Sequence, residues 1–210
     1  MKKLMTGLMM IASLLVSGVA HAEVLLGKDY SLVNPPQPAP KDKIEVLEFF
    51  FYECPHCFHL HPHIAKWEKT KASDVTITYV PTIFRPGNEP LATTYYALEA
   101  MGKIKKMDDE IYQAVHVKQE NLYDLNSIGE FVGKYGVDRK AFEIAYSFDA
   151  PSKIKLAKQM IRTYNIEGTP TLVVDGKYAI SGLQPEDTIR VLNEVIEKVR
   201  KEHAPVGKKH

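Results

Sequence analysis

The spacing of apolar residues divides the chain into stretches of different kinds. Leu4 to Val19 is apolar throughout, interrupted only by small or mildly polar residues. Glu23 to Lys43 is polar and proline-rich. Its segment Asn34-Pro35-Pro36-Gln37-Pro38-Ala39-Pro40 argues for extended or loop structure rather than a central strand, and a short strand fits near Tyr30–Val33. Ile44 to Tyr52 is nearly continuous in apolar residues and reads as a buried central strand. Phe58 to about Lys71 follows with helical spacing. Pro62 falls in its first turns, where a kink is expected, and Trp67, the lone tryptophan, reads as core packing. Val75 to Thr82 alternates as a second strand should, ending at Pro81.

Arg85-Pro86-Gly87-Asn88-Glu89-Pro90 is a loop signal, and beyond it the period becomes helical. Tyr95, Leu98, Met101, Ile104, Ile111 and Val115 mark helix from Leu91 to Val117, broken near Gly102. A second helix runs from Asn126 to Tyr135 and ends at Gly136. Asp138 caps a third, Arg139 to Phe148, with Phe142 and Ala145 turned inward. Pro151 opens a fourth, with Ile154, Leu156, Met160 and Ile161 as its apolar stripe. The alternating pattern then returns. Thr171 to Val174 and Lys177 to Ile180 flank Asp175-Gly176, the signature of a hairpin with a two-residue turn. Pro185 starts a last helix to about Lys201, with Ile189, Leu192, Val195, Ile196 and Val199 buried and a frayed tail beyond Ala204. Two β-containing segments, 23–86 and 158–210, thus flank an all-helical stretch, 87–157. The arrangement predicts an α/β domain with a helical domain inserted into it.

The first stretch is a targeting signal rather than part of the fold. Met1-Lys2-Lys3 is a basic start, Leu4 to Val19 an apolar core, and Ala20-His21-Ala22 a small-residue cleavage site, so residues 1–22 are expected to be removed before Glu23. The apolar run is short for a membrane span, which needs ~20 residues. Loss of the leader takes away Lys2 and Lys3 and no acid, turning a formal charge of +1 into −1. A chain so balanced has no bulk electrostatic attraction for nucleic acid. Export into an oxidising compartment also changes how the cysteines are read.

The sequence holds only two cysteines, Cys54 and Cys57, separated by Pro55 and His56. They follow the buried strand and open the next helix. The first sulfur then lies at a helix N-terminus, where unpaired backbone N–H groups and the helix dipole favour negative charge. The thiolate is the reactive form, so Cys54 is the expected nucleophile of a redox-active dithiol and Cys57 its more buried, resolving partner. Pro55 suits the first helical turn, and His56 can place a ring nitrogen or a positive charge near the Cys54 sulfur. A purely structural disulfide is a weaker reading, because closing so short a loop removes little chain entropy.

Glu48 stands out within the apolar strand. Buried there, it would have a raised pKa and could accept or relay a proton during thiol exchange; at the end of the sheet it would simply reach solvent. His56, His59, His61 and His63 crowd the helix start, but a spacing of two scatters residues 59, 61 and 63 around a helix, so no metal site is expected and His61 and His63 read as solvated. No cofactor is called for.

Leu47-Glu48-Phe49-Phe50 followed by Cys54-Pro55-His56-Cys57 resembles the active-site region of the DsbA family of periplasmic thiol:disulfide oxidoreductases, and the resemblance extends over nearly all of the chain after the leader. It implies a thioredoxin-like fold carrying an inserted helical domain, and donation of the Cys54–Cys57 disulfide to unfolded, newly exported proteins in the periplasm. It also implies re-oxidation by a DsbB-type inner-membrane partner linked to quinone, and a protein acting as a monomer. A reductase or isomerase of the same fold is the alternative. The resemblance strengthens the reading of Glu48 as a buried acid, although Tyr79 stands where the family has a lysine near it. Thr169-Pro170 falls where the thioredoxin fold has a cis-proline facing the cysteine pair. There the backbone of Thr169 would bind an extended substrate peptide as an added strand.

Overall fold

The structure, a computed structural model, describes residues 23–204; the leader read at 1–22 and the tail 205–210 lie outside them. Five strands form one sheet: β1 (Ser31–Leu32), β2 (Ile44–Phe50), β3 (Val75–Pro81), β4 (Thr171–Val174) and β5 (Tyr178–Ser181), in the order β1-β5-β4-β2-β3. β2 pairs parallel with β3 and antiparallel with β4, and β4–β5 and β5–β1 are antiparallel. β2 is therefore an interior strand, while β4 holds the middle of the sheet. β2 also stops at Phe50, two residues earlier than its apolar run, because Phe51 and Tyr52 turn out of the ladder toward the next helix.

That helix is α1 (Pro55–Thr70), and it runs through Pro62 without a break. Then come α2 (Glu89–Ala100), α3 (Ile104–Gln113), α4 (Leu125–Lys134), α5 (Arg139–Ile144), α6 (Ala150–Thr163) and α7 (Pro185–His203). Among the described residues no helix is long and apolar enough to cross a membrane. The third and fourth helices expected from sequence are one run: a π-helical turn, Ala145–Asp149, joins α5 to α6. Pro151 lacks an N–H and crowds the carbonyl one turn back, and the wider turn lies where that ladder would fail. The shift in phase moves the stripe. Ala157 is buried, and Leu156, expected inside, is 51% exposed. α6 also crosses the boundary expected after residue 157.

Alternation along β2 separates two cores. Ile44 and Val46 pack with Leu172, Val174 and Ile180, with Leu60, Ile64 and Trp67 of α1, and with Val191, Leu192, Val195 and Val199 of α7. Trp67 is buried as expected, and its indole N–H donates to Asn193 Oδ1 at 2.9 Å. Leu47 and Phe49 belong to the other core, with Tyr95 and Leu98 of α2, Ile111 of α3, Phe131 of α4 and Ile154 of α6. The cysteines belong to this second core.

The β4–β5 hairpin departs from its expected form. Asp175 and Gly176 both have positive φ and Lys177 N–H closes the turn on Val174 O, but Val174 pairs with Tyr178, so Lys177 is an extra residue in the ladder. Gly176 is required here. A Cβ would lie 2.2 Å from Gln37 O, and Gln37 N–H donates to Gly176 O, which ties the proline-rich lead-in to the turn.

Candidate active site

β2 delivers the chain to the start of α1, and Cys54 occupies the position just before that helix. No side chain caps the helix and no acid sits in its first turn. The orphan N–H groups are therefore free to face the sulfur. Both cysteines are free thiols, Cys54 5% exposed and Cys57 fully buried.

The two sulfurs differ sharply. Cys54 is lowered to about 5, chiefly by the hydrogen bond from the Cys57 thiol, against the opposing effect of burial. Thr169 and the backbone N–H groups of Cys57 and His56 add to the lowering. Thr169 acts in both senses. Its hydroxyl is buried with no hydrogen-bond partner and favours the thiolate by its proximity, whereas its carbonyl, 3.4 Å from Cys54 Sγ, accepts only from the neutral thiol. Burial pushes Cys57 far up, and its hydrogen bond to Cys54 adds to this. One sulfur ionises readily and the other keeps its proton.

The residues singled out in the sequence occupy these positions. Pro55 is the first residue of α1. His56 is exposed, and it reaches the sulfur through its backbone N–H. The Thr169–Pro170 bond is cis, and Thr169 is the residue whose carbonyl meets Cys54. Glu48 is 3% exposed, so it does not reach solvent at the sheet end. Burial, with Asp108 and Glu68 nearby, raises it to about 8. Tyr79 is its register partner on β3, and the Tyr79 hydroxyl donates to Glu68 Oε2 at 2.8 Å. A neutral phenol thus occupies the strand position facing Glu48.

His61 corrects an expectation. It is not solvated: its side chain is 15% exposed and lies between Asp108, Asp109 and Tyr112 of α3. Tyr52, Asp108 and His116, given no role in the sequence, also surround the loop. The Tyr52 hydroxyl donates to Asp108 Oδ1 at 2.5 Å, and its carbonyl accepts from His116 Nε2 at 2.7 Å. Glu53, directly before Cys54, is held by Asn88 Nδ2 at 3.0 Å. The aromatic richness of Phe49 to Tyr52 was the one local signal: Phe50 packs edge-on against Tyr52 and Tyr95, and Tyr52 against Tyr112.

Comparison with known proteins places this geometry. Residues 87–192 match a family described as the DSBA-like thioredoxin domain. A thiol:disulfide interchange protein DsbA of Burkholderia cepacia is 36% identical, over 85% of this chain and 86% of its own. The chain belongs to the DsbA family. A second DsbA relative, from Azotobacter vinelandii, is 33% identical over 95% of this chain and 99% of its own length. Among solved structures, DsbA of Xylella fastidiosa superimposes with a TM-score of 0.80 at 30% identity, covering 86% of this chain and all of that one. Pseudomonas aeruginosa DsbA gives 0.81 at 30% identity, covering 85% and 96%. The fold is the thioredoxin-like DsbA fold, and the protein is a thiol:disulfide oxidoreductase.

Proposed function

We propose that this DsbA-family member is a dithiol oxidase of the periplasm, donating the Cys54–Cys57 disulfide to newly exported proteins. The observation that carries the direction is the split between the sulfurs: Cys54 lowered to about 5 and Cys57 raised. A stabilised thiolate stabilises the reduced enzyme, so its disulfide is the better oxidant. Once Cys54 ionises below ambient pH, each further unit favours reduction by ~1.4 kcal/mol, or ~30 mV for two electrons.

A substrate thiolate attacks Cys54 Sγ, the less buried of the two sulfurs and the better leaving group on reversal, and the S–S bond breaks toward Cys57. Cys57 leaves as a thiolate and takes up a proton, for which Glu48, raised to about 8, is the buried donor. A second substrate thiolate attacks the substrate sulfur of the mixed disulfide and expels Cys54 as a thiolate. The product is a substrate disulfide, with two electrons now on the enzyme. Thr169 offers its backbone beside Pro170 to an extended substrate segment, and Pro55 and His56 hold the sulfur at the helix start. The exposed ring of His56 adds a charge at the rim when protonated.

The partners that fit are unfolded exported proteins with free thiols, and a DsbB-type inner-membrane protein passing electrons to quinone. The protein acts as a monomer, with residues 1–22 as its export signal and a helical domain, carried by α6 to Thr163, set between the two β-containing segments. Equilibrating the pair with glutathione, while following Cys54 thiolate absorbance against pH, tests the reading. A potential well above thioredoxin's, with Cys54 ionising far below a free thiol, is expected. A thioredoxin-like potential with near-neutral ionisation would make it a reductase.

A further inference from the structure

His61 lies one turn beyond Cys57 on α1 with both ring nitrogens turned to carboxylates of α3. Nε2 is 2.6 Å from Asp109 Oδ1, and Nδ1 is 3.7 Å from Asp108 Oδ2. The ring also lies 4.6 Å from that of Tyr112, centroid to centroid. A neutral imidazole carries one N–H and serves one carboxylate; the imidazolium serves both. Asp108 is shared, because its other oxygen accepts from the Tyr52 hydroxyl. Tyr52 stands two residues before Cys54.

The second grip on Tyr52 behaves differently. Its carbonyl can only accept, so His116 Nε2 carries a hydrogen in either charge state, and that bond does not depend on the ring's charge. Of the two histidines that hold the loop, only His61 changes its bonding with protonation.

We propose that His61, as an imidazolium bridging Asp108 and Asp109, is a positioning residue for thiol exchange: it locks Asp108 onto Tyr52 and so fixes the loop that presents Cys54. The groups facing the ring are Asp108, Asp109 and Tyr112 of α3, with Tyr52 reached through Asp108. Glu48 of β2 and Glu68 of α1 lie within electrostatic range of Asp108. This surrounding is acidic. A neutral ring that keeps its hydrogen on Nε2, for the closer Asp109, leaves the half-buried Asp108 carboxylate with Tyr52 as its remaining donor, and a partly buried charge stripped of its counter-ion is costly. Asp108 then takes up a proton or turns away, and either weakens its hold on Tyr52. The reaction affected rests on the proposed function; the clasp itself does not.

The test compares wild type, His61→Arg and His61→Gln. Arginine is a permanent cation whose planar fork reaches both carboxylates, and glutamine keeps a donor without charge. Mixed-disulfide formation between the oxidised protein and a monothiol cysteine peptide is measured from pH 5 to 9, corrected for the peptide's own thiolate fraction. Hydrogen exchange of amides 52–57 is followed by mass spectrometry on the same proteins. H61R is expected to hold the fast rate throughout, and H61Q to be slower by about fivefold, the size of effect one partly buried ion pair carries. Wild type should pass from the first behaviour to the second as pH rises, and amides 52–57 should exchange faster in H61Q than in H61R. Superimposable profiles, or equal amide exchange, overturn the proposal. Should H61R fail to fold, Asp108→Asn keeps an acceptor for Tyr52 without the charge, and a profile that still steps with pH overturns it equally. If wild type transfers no disulfide, the oxidase reading fails, while amide exchange still decides the clasp.

Discussion

The sheet with α1 and the helical stretch from Glu89 to Thr163 contribute to the site in opposite ways. On the proposed mechanism the sheet side supplies the groups the chemistry uses: both sulfurs, the Glu48 carboxyl as proton donor and the Thr169 backbone as substrate contact. The helical side supplies none, yet Asp108 and His116 hold Tyr52 by its hydroxyl and its carbonyl. Changes on the sheet side should therefore abolish or redirect the chemistry, and changes on the helical side should scale it.

The largest effect belongs to the sulfurs. Cys54→Ser removes the atom that substrate attacks, and disulfide transfer to a reduced, unfolded protein should fall to the uncatalysed level. Cys57→Ser should leave a mixed disulfide with glutathione on Cys54 that no internal thiol resolves, visible as a fixed mass increment. A C54S protein that still transfers disulfides would place the reactive atoms elsewhere and end the comparison at once.

Glu48→Gln comes next. The folded carboxyl is raised to about 8 from an ordinary value near 4.5, so ionising it costs more in the folded protein than in the unfolded chain. The cost is absent below about pH 4.5, grows between there and about 8, and is complete above. E48Q should therefore be the more stable protein above pH 8, by up to ~5 kcal/mol, and should lose that advantage as pH falls toward 4.5. Denaturant midpoints across the range read this directly. Mixed-disulfide formation, in which Cys57 takes up its proton, should slow in E48Q at the same time if Glu48 is the donor, and should be unchanged if Glu48 is merely a buried acid.

The same division governs what could be read from the chain. The cysteine pair with its strand and helix is legible because it is a local string whose neighbours in sequence set its role, whereas Glu48 and Thr169-Pro170 take theirs from the resemblance to the DsbA family. The helical contacts are not legible. Tyr52 and Asp108 are 56 residues apart, Tyr52 and His116 64, and His61 and Asp109 48. On an amphipathic helix, Asp108-Asp109 looks like any solvated acidic pair. The spacing of His59, His61 and His63 says that they do not share one face, but not which face α3 covers. Leu156 failed for a related reason: one π-helical turn shifts the phase of everything after it, and no residue type announces it reliably.

A smaller effect sharpens the comparison from the redox side. With Cys54 ionising at about 5 and Cys57 held protonated, reduction takes up one proton per two electrons above pH 5 and two below. The potential should fall by ~30 mV per pH unit above about pH 5 and by ~60 mV below it. The sign follows for stability. The thiolate's contribution to the reduced protein is complete above the unfolded thiol's pKa and is lost as pH falls through about 5. A slope of ~60 mV persisting up to pH 7 would mean that Cys54 is still a thiol there, and the split between the sulfurs would be gone.

The smallest effect is the most telling about the helical side. His116 stacks on Phe58, with ring centroids 4.6 Å apart and planes 13° from parallel, and Nε2 donates to the Tyr52 carbonyl. His116→Phe keeps an aromatic ring for the stack and removes the donor. Loss of one hydrogen bond to a buried backbone carbonyl costs ~1 kcal/mol. The folded protein should tolerate this, with a modest drop in denaturant midpoint, and the rate of mixed-disulfide formation should fall a few-fold while the potential stays put. The potential depends on the thiolate's own partners, Cys57, Thr169 and the helix N–H groups, none of which His116 touches. A shift in potential as large as the rate effect would mean that the helical stretch tunes the sulfur itself rather than the loop that carries it.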